Sequence, residues 1–359
     1  HEIQGRRTEK YKLLETKSFS EIKWKKLNVD PDYKFFVPKD FSGRSVYDSY
    51  VPLTNIFRLY STGVGTGRDS VFVDFSDERL RETGKNIGDK RKSNSEIFST
   101  YPLKDTTSWN ISNRRKDFQY NEDKVVEYAY RPFDTRWVIY DPIIRRDQRK
   151  VMANMVKPNL SLIVCQQNSS GSFNHAFCSD KLSGESLVSN RTTERGFVFP
   201  SYLYSEIMGK DDQNLNLTSE FLAWFSTKYG MEIVGDEDVG KGKIGITEIQ
   251  GYIYACLNSK WFRDTFAEFH KIDFPKIPFI DSVELFKKIS KVGCGLIAIQ
   301  TGKEKIESKC GYVGSGDNVI QKCKYDLEKK TLWFNENQGI TGVAIEVWNY
   351  EIGSYQVLD

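Results

Sequence analysis

The sequence has few of the residues that metal-dependent and thiol-dependent catalysis require. Histidine occurs only three times among 359 residues, and the six cysteines are scattered without a C-x-x-C pair. A zinc site, whose usual ligands are Cys and His, is therefore hard to assemble. A serine or cysteine nucleophile would also lack a base, because only His175 and His270 lie inside the chain. We predict reduced, mostly buried thiols and no metal site.

Long apolar runs are missing as well. No stretch approaches the roughly 18 consecutive apolar residues that a membrane span needs, so a membrane role is not expected. Nothing at the start resembles a signal peptide, and the chain opens on "HEIQGRRTEK" without a methionine. We expect a cytoplasmic protein that is a piece of a longer one.

Basic residues are clustered rather than in large excess. The formal net charge of +3 is too small to indicate nucleic-acid binding by itself. Lys and Arg nevertheless recur in clusters at 23–26, 89–92, 113–116 and 145–150, while acids gather elsewhere, as in "GDEDVG" at 235–240. A single cluster is more often a solvated surface, but several in one half of the chain predict a face with positive potential.

The first half of the chain has the pattern of short strands joined by loops. Residues 70–75 alternate between apolar and polar, 135–141 are aromatic and β-branched, and 160–165 and 196–204 have the composition of buried strands. The polar stretch at 209–216 is interpreted as a linker, after which the pattern becomes helical.

Helix starts follow this linker. Thr218 and Ser219 are suited to cap a helix that ends at Gly230, "TEIQ" at 247–250 fits a capping box, and "DSVE" at 281–284 offers a further start. Beyond Gly311 the pattern returns to strands, with a hairpin from Lys324 to Asn335. The sequence predicts an α+β fold with a sheet-rich mixed part at 1–205, a helical support part at 206–310, and a small strand-rich C-terminal hairpin region at 311–359 that packs back on the rest.

The stretch "STGVGTGRDSVFVDF" at 61–75 is the first candidate for chemistry, because alternate glycines suggest a phosphate cradle. A P-loop needs G-x-x-x-x-G-K-[ST], and a dinucleotide fold needs G-x-G-x-x-G between a strand and a helix. Here the spacing is G-x-G-x-G, Arg68 follows Gly67, and we expect a strand next rather than a phosphate-binding helix. The sequence therefore favours a tight turn over a nucleotide site.

Two other catalytic interpretations are weak. "DPDY" at 30–33 approaches the [NDS]-P-P-[YF] signature of amino-group methyltransferases, but the second proline is missing and no cofactor motif precedes it. Asp317, Glu328 and Lys330 have the order of a metal-dependent nuclease centre, yet such triples arise by chance among 49 acids and 52 basic residues. We therefore expect no catalytic residues in this chain.

A longer series of motifs resembles a known family. It includes "YRPFDTRWVIYDP" at 130–142, "RDQRKVMANM" at 146–155, "NLSLIVCQQ" at 159–167, "HAFCSDKL" at 175–182, "FVFPSYLY" at 197–204, "EFHKIDFPKIPF" at 268–279 and "GVAIEVWNYEIGSYQVLD" at 342–359. Together these blocks resemble the C-terminal specificity, or target-recognition, domain of type ISP and related type IIG-like restriction-modification enzymes, which are adenine-specific DNA methyltransferases.

The glycine stretch also fits this family. Target-recognition domains of the wider adenine-methyltransferase group often begin with G-[IV]-x-T-G-x-[DN]-x-x-F, which is filled here by Gly63, Val64, Thr66, Gly67, Asp69 and Phe72. Two departures are Gly65, where a longer side chain is usual, and Gln166, where the family often has an arginine before the glutamine. The second departure removes any arginine-to-guanine contact at that position.

The resemblance implies sequence-specific binding of double-stranded DNA. It also implies that this chain is noncatalytic and positions DNA for adenine N6 methylation and cleavage by other domains of the same parent chain. The methyltransferase domain would be its partner, and S-adenosylmethionine and magnesium would bind only in those missing domains.

A DNA reader needs Lys and Arg for phosphates, and Arg, Asn or Gln for base edges. The candidate DNA-binding residues are Arg68, Arg114, Arg115, Lys116, Arg145, Arg146, Arg149, Lys150, Gln166, Gln167 and Asn168. Two alternatives stay open: a stand-alone nuclease or phosphate-handling hydrolase that uses the glycine loop or the Asp317 set, and a protein-interaction scaffold with incidental basic patches.

Overall fold

The computed structural model describes residues 6–22, 26, 39–169, 173–191, 193–207 and 210–359. The "DPDY" segment at 30–33 and most of the basic cluster at 23–26 lie outside these residues. The chain divides into two compact units, His1–Val46 and Tyr47–Asp359. In the first unit, helix α1 (Arg7–Thr16) has no buried residue.

The remaining elements are short strands and helices. Up to residue 139 they are α2 (Arg44–Asp48), β1 (Val51–Pro52), α3 (Leu53–Ile56), β2 (Ser61–Thr62), α4 (Asp69–Phe72), β3 (Val73–Asp74), α5 (Asp77–Gly88), α6 (Asn94–Thr100), α7 (Ile111–Asp117), β4 (Val125–Arg131) and β5 (Asp134–Ile139). Then follow α8 (Arg149–Met152), β6 (Ser161–Cys165), β7 (Ala176–Ser179), β8 (Leu182–Ser183), β9 (Gly196–Pro200), β10 (Tyr202–Ile207), β11 (Lys210–Leu215), α9 (Ser219–Tyr229), β12 (Glu232–Val234), β13 (Lys243–Gly245) and α10 (Ile246–Asn258). The last group is α11 (Lys260–Thr265), α12 (Ala267–His270), β14 (Lys276–Ile277), α13 (Val283–Gln300), β15 (Gly311–Val313), β16 (Lys324–Asp326), β17 (Thr331–Trp333), β18 (Gly339–Thr341), α14 (Ile345–Trp348), β19 (Glu351–Ile352) and β20 (Tyr355–Gln356).

Several small sheets organise the second unit. The central sheet has the order β2-β9-β6-β7 and is antiparallel throughout. A second sheet has the order β3-β5-β4-β8, with a parallel pairing of β4 and β8, and a C-terminal sheet has the order β15-β18-β17-β16. The predicted α+β class is confirmed, including the C-terminal hairpin formed by β16 and β17.

The central sheet lies between two apolar clusters. Leu162 and Val164 of β6 belong to one cluster, together with helix residues such as Phe225. Ile163 and Cys165 belong to the other. This alternation follows from the strand period of two, which points successive side chains to opposite faces. The sheet and the helical section therefore share a core across residue 205, and the three-part domain division stays a prediction.

The predicted caps at Thr218 and Thr247 have different outcomes. Helix α9 is capped by the Thr218 hydroxyl, which accepts a hydrogen bond from the Phe221 amide at 3.2 Å, and it ends at Gly230 with a φ of 64°. Helix α10 differs from the prediction, because it begins at Ile246 rather than after a Thr247 cap. The Thr247 amide and hydroxyl instead donate to the Asp236 carboxylate at 3.0 and 2.6 Å, which removes the side chain from capping.

Two local expectations are wrong. The polar stretch at 209–216 is not a linker, because Lys210–Leu215 is a strand that pairs in antiparallel register with Tyr202–Ile207. Backbone pairing with a neighbouring strand overrides the loop-like composition. Of the strand expected at 70–75, only Val73–Asp74 is extended, and Asp69–Phe72 forms one helical turn.

Helices α10 and α13 approach each other through two glycines. A Cβ atom on Gly293 would lie 1.7 Å from the Gly251 carbonyl oxygen. The face of α13 that is buried carries Phe286, Ser290, Gly293 and Ile297, whereas Leu285 and Val292 are exposed. The small residues on the buried face permit this close contact between the helices, and the larger Leu285 and Val292 side chains lie on the exposed side of α13.

Candidate nucleic-acid interface

One end of the central sheet gathers segments that are far apart in sequence. Because the sheet is antiparallel, the ends of β2 and β6 lie beside the starts of β9 and β7. The pairs Thr62 with Phe197, Cys165 with Gly196, and Val164 with Ala176 fix this arrangement. We call residues 63–67, 166–169, 173–175, 184–191 and 193–195 the sheet end. Sequence-predicted candidates from distant parts of the chain meet here.

Residues 63–67 of the glycine stretch cross the sheet end, and we call them the strap. The Gly63 amide donates to the Gly196 carbonyl at 3.0 Å, the Val64 amide to Ser183 at 2.9 Å, and the Gly65 amide to Arg146 at 3.0 Å. These amides are therefore already bonded and do not form a phosphate cradle. Directly after Gly67 the chain forms the helical turn Asp69–Phe72, and only Val73–Asp74 of the expected strand is extended. The prediction that a strand follows Gly67 directly was therefore wrong.

A side chain at each of the three glycines of the strap would meet a different obstacle. A Cβ on Gly63 would lie 2.5 Å from the backbone of Gly184, so this position requires close approach. Gly67 has a φ of 65°, which is the positive φ expected for a turn. A Cβ on Gly65 would lie 2.7 Å from the Glu185 carboxylate, so the longer side chain usual at this position would displace that carboxylate.

Three cationic side chains surround an open cavity of about 590 Å³ beside the strap. Arg68, Lys104 and Arg145 line it. The Arg68 guanidinium lies 3.8 Å from the centroid of the Trp109 ring and donates from Nη2 to the Lys104 carbonyl at 2.5 Å. Burial and the neighbouring Arg145 lower the pKa of Arg68. Asp69 also lines the cavity, but its carboxylate accepts hydrogen bonds from Thr66 and Tyr130. We call this the cationic cavity; its charge suits a phosphate.

Arg146 is held by protein contacts rather than projecting freely. Its guanidinium lies 2.9 Å from the Glu185 carboxylate, and Arg195 approaches the same carboxylate at 3.5 Å. This carboxylate therefore fixes two arginines at the sheet end. Gly65 provides the space that the carboxylate occupies.

Arg115 is a correction to the candidate set, because it is buried. Its Nε donates to the Ile87 carbonyl at 2.8 Å, its Nη1 to Asn94 Oδ1 at 2.6 Å, and its Nη2 to the carbonyls of Asp89 and Lys92 at 2.7 and 3.1 Å. These bonds satisfy the carbonyls at and beyond the end of α5. The side chain therefore stabilises the fold and leaves the set of proposed DNA contacts.

Substitution of Arg115 tests this structural role. We expect Arg115→Gln to lower the free energy of unfolding by about 2 kcal/mol, because it leaves buried carbonyl groups without their donor. The neighbouring Lys116 is exposed, so Lys116→Gln should change stability by less than about 0.5 kcal/mol. Urea denaturation of the two variants checks the difference; equal stability would contradict the assigned role.

The other basic candidates lie on the surface or at the edge of the sheet-end region. Arg114 donates to the Pro142 carbonyl and so ties α7 to the loop that carries Arg145. Arg149 and Lys150 are exposed at the start of α8, with Arg149 3.5 Å from the Asp147 carboxylate. Their exposure keeps them accessible to DNA.

The polar candidates after β6 differ in exposure. Gln166 donates to Asp273 Oδ1 at 3.0 Å, and Gln167 donates to the Ile272 carbonyl at 3.4 Å and is exposed. Asn168 is buried, so it supports the loop rather than reaching a groove. Ser170, Gly171 and Ser172, the rest of the loop, lie outside the described residues.

The sequence missed several members of this region. Lys104 is an isolated lysine, and Arg195 and Glu194 lie in the mixed stretch "NRTTERG" at 190–196, which has no marked excess of positive charge. Only the pairing of β9 with β2 and β6 brings that stretch to the strap. No local pattern in the sequence indicates these contacts.

The described residues give no support to a catalytic centre. Among them, no group of three or more His, Cys, Asp or Glu side chains is placed to hold a metal ion. Asp317 accepts a hydrogen bond from the Val319 amide, and Glu328 and Lys330 lie in the turn between β16 and β17. Both internal histidines are fully buried. Within the same part of the chain, no helix is long and apolar enough to cross a bilayer.

A mixed α+β module that collects arginines, a lysine and amide side chains at one end of a sheet has the character of a nucleic-acid-recognition domain. The profile of the type ISP C-terminal specificity domain matches residues 55–359. The chain therefore belongs to this family, as the motifs in the sequence predicted.

Solved structures show the same fold. A cryo-EM structure of a DrdV–DNA complex matches with a TM-score of 0.73 and 18% identity over 98% of this chain and 36% of that one. A nuclease-deletion mutant of the type ISP restriction-modification enzyme LlaGI, in complex with a DNA substrate mimic, matches with a TM-score of 0.68 and 18% identity over 98% of this chain and 32% of that one.

A further match is the ATP-dependent type ISP restriction-modification enzyme LlaBIII bound to DNA. Its TM-score is 0.64, with 18% identity over 87% of this chain and 21% of that one. The chain thus spans about a third of the length of the first two proteins. No curated protein matches it significantly.

Proposed function

We propose that this chain is the target-recognition module of a restriction-modification enzyme and binds double-stranded DNA at the sheet end. The observation that carries the proposal is the cationic cavity, where Arg68, Lys104 and Arg145 converge beside the loops that emerge from the central sheet. The family membership and the DNA complexes among the structural neighbours support the same function.

The proposal assigns different roles to contacts with phosphates and contacts with bases. Cations fix the register of the protein on the duplex through phosphates, whereas amide side chains recognise base edges. We assign the cationic cavity, with the exposed Arg149 and Lys150, to phosphates. Gln167, with Gln166 beside it, is our candidate for a base contact, because it is exposed after β6.

The chemistry that follows recognition belongs to the parent protein in this proposal. The chain would position an adenine for N6 methylation, and DNA for cleavage, by domains outside it. The methyltransferase domain of the same parent chain is the proposed partner, and S-adenosylmethionine and magnesium would bind there. The proposed location is the cytoplasm.

Duplex binding across a salt series tests the proposal. We expect the logarithm of the association constant to fall linearly with the logarithm of salt concentration, because bound cations release condensed counterions from phosphates. The double substitution Lys104→Gln, Arg145→Gln should reduce this slope by about 2, or roughly one for each lost phosphate contact. Fluorescence anisotropy with a labelled duplex measures both.

A surface lysine elsewhere provides the matched control. Lys291 is exposed on α13, so Lys291→Gln should leave the slope unchanged. Absence of binding at low salt, or an equal slope in all variants, would contradict the proposed interface. Magnesium-dependent cleavage of DNA by this chain alone would instead favour the nuclease alternative.

A further inference from the structure

A single buried carboxylate connects the loops of the sheet end. Glu194 is fully buried, yet its oxygens have several donors. Oε1 accepts hydrogen bonds from the Ser169 amide at 2.8 Å and from the Ser169 hydroxyl. Oε2 accepts from Ser189 Oγ at 2.7 Å and from His175 Nε2 at 3.0 Å. This set of donors compensates for the loss of water around the charge.

The charge states in this cluster are well defined. Burial alone raises the pKa of Glu194, but the hydrogen bonds from Ser169, Ser189 and His175 outweigh burial and lower it to about 2. Burial lowers the pKa of His175, although the neighbouring carboxylate opposes the shift. Glu194 is therefore an anion at neutral pH, and His175 is a neutral ring that donates from Nε2.

The bonds of Glu194 join three separate segments of the sheet end. Ser169 follows directly after Gln167 and Asn168, His175 precedes β7, and Ser189 lies in the connection that leads to β9. The backbone of Glu194 reaches a fourth segment, because its carbonyl accepts from Cys165 Sγ at 3.1 Å at the end of β6. Cys165, just before the loop at 166–169, and Ser169, its last residue, are thus both bound to Glu194.

This cluster is not a hydrolytic triad. Glu194 and His175 have no exposed surface, and Ser189 is 1% exposed, so no substrate reaches them. His175 Nδ1 is buried without a hydrogen-bond partner, whereas a catalytic histidine between an acid and a nucleophile uses both ring nitrogens. What the geometry provides is a fixed position for the loop.

We propose that Glu194 is a positioning residue for base recognition, which it achieves by holding the loop at 166–169 in one conformation against β7 and the segment before β9. This inference rests on the proposed function. A side chain distinguishes the correct base pair from a wrong one only if it is held in place, because a mobile loop can adapt to either base pair. Glu194 also lies 3.5 Å from the guanidinium of the half-exposed Arg191. None of the described residues that line the cationic cavity is a partner of Glu194, so we expect phosphate binding in that cavity not to depend on it.

Loss of discrimination with retained phosphate binding is the expected result for Glu194→Ala. The wild-type chain first selects bound sequences from a pool of duplexes with a randomised core. Affinity is then measured for an enriched duplex and for an unselected one. We expect the ratio of the two affinities to fall about tenfold, which is the effect of losing one good base contact. Affinity for the unselected duplex, and its salt slope, should stay within about twofold of wild type.

Conservative variants separate positioning from general stability. Glu194→Gln keeps a carbonyl oxygen for Ser169 and offers an amide to Ser189 Oγ and to Nε2 of a neutral His175. It should therefore retain most of the discrimination that alanine loses. Ser169→Ala removes the hydroxyl, which donates to Glu194 and accepts from Arg191 at 2.9 Å, and keeps the amide contact to Glu194. We expect an affinity ratio about threefold below wild type. If circular dichroism shows that Glu194→Ala is unfolded, the affinity ratio of Ser169→Ala tests the positioning role instead.

The outcomes that overturn the inference are distinct from failure of the proposed function. If Glu194→Ala folds and its affinity ratio equals that of wild type, the inference is overturned. If Glu194→Ala is unfolded, an unchanged ratio in Ser169→Ala overturns it. Equal losses for enriched and unselected duplexes would do the same. A wild-type chain that binds no duplex at low salt would instead overturn the proposed function.

Discussion

Gly293→Ala should lower the free energy of unfolding by about 3 kcal/mol, because it forces two packed helices apart. The added Cβ would lie 1.7 Å from the Gly251 carbonyl oxygen, and that oxygen is part of the backbone of α10. No side-chain rotation relieves such a contact, so the helices separate and lose packing along their length. Phe286 and Ile297, on the same face of α13, are the residues that lose contacts first.

Gly295 provides a matched control two residues further along the same helix. Nothing lies within 4 Å of a Cβ at this position. Gly295→Ala should raise stability by up to about 1 kcal/mol, because alanine has the higher helix propensity. Urea denaturation of both variants measures the difference, and a neutral or stabilising Gly293→Ala would show that α10 and α13 do not pack as described.

Acid should destabilise the chain by roughly 3 kcal/mol between pH 7 and pH 4.5 through His270 alone. Its ring is buried against Phe173 and Phe262 at centroid distances of 4.4 and 5.0 Å, and neither ring nitrogen has a hydrogen-bond partner. Burial, with a smaller effect from Arg263, lowers the pKa of His270 from 6.5 to about 3. Between these two values the unfolded chain binds a proton that the folded chain does not bind, so stability falls as the pH falls.

His270→Phe isolates this effect, because phenylalanine suits the aromatic surroundings and has no titrating group. We expect the variant to lose clearly less stability than wild type between pH 7 and pH 4.5. His175 acts in the same direction, since its pKa is also lowered, so a smaller pH dependence should remain. Denaturation midpoints at several pH values check this, and parallel curves for variant and wild type would exclude His270 as the cause.

Much of the fold could be predicted from patterns within single elements. The buried run at 160–165 and the Thr218 cap are local signals, and the structure contains the corresponding strand and helix. The errors arose where a distant partner decides the outcome. Asp236 removes Thr247 from the expected cap, and the strand Tyr202–Ile207 converts a polar stretch into its partner.

The candidate site shows the same division between local and distant information. Arg114, Arg115 and Lys116 look alike in sequence, but Arg115 lies four residues after the buried Ile111 and so shares the inner face of α7. That spacing was a usable signal. No spacing predicts the meeting of Arg68 with Lys104, because the cavity depends on how separate segments fold together.

The two-sided burial of β6 limits how recognition can change during evolution. Leu162 and Val164 face one apolar cluster, and Ile163 and Cys165 face the other. A shift of one residue along the strand would exchange both sets at once, so insertions within the strand are strongly disfavoured. Beyond Cys165 this period-two constraint ends, so length and sequence can change there without exchanging the two buried faces. New DNA specificities should therefore arise by exchange of the loops at the sheet end, while the strands that carry them stay constant.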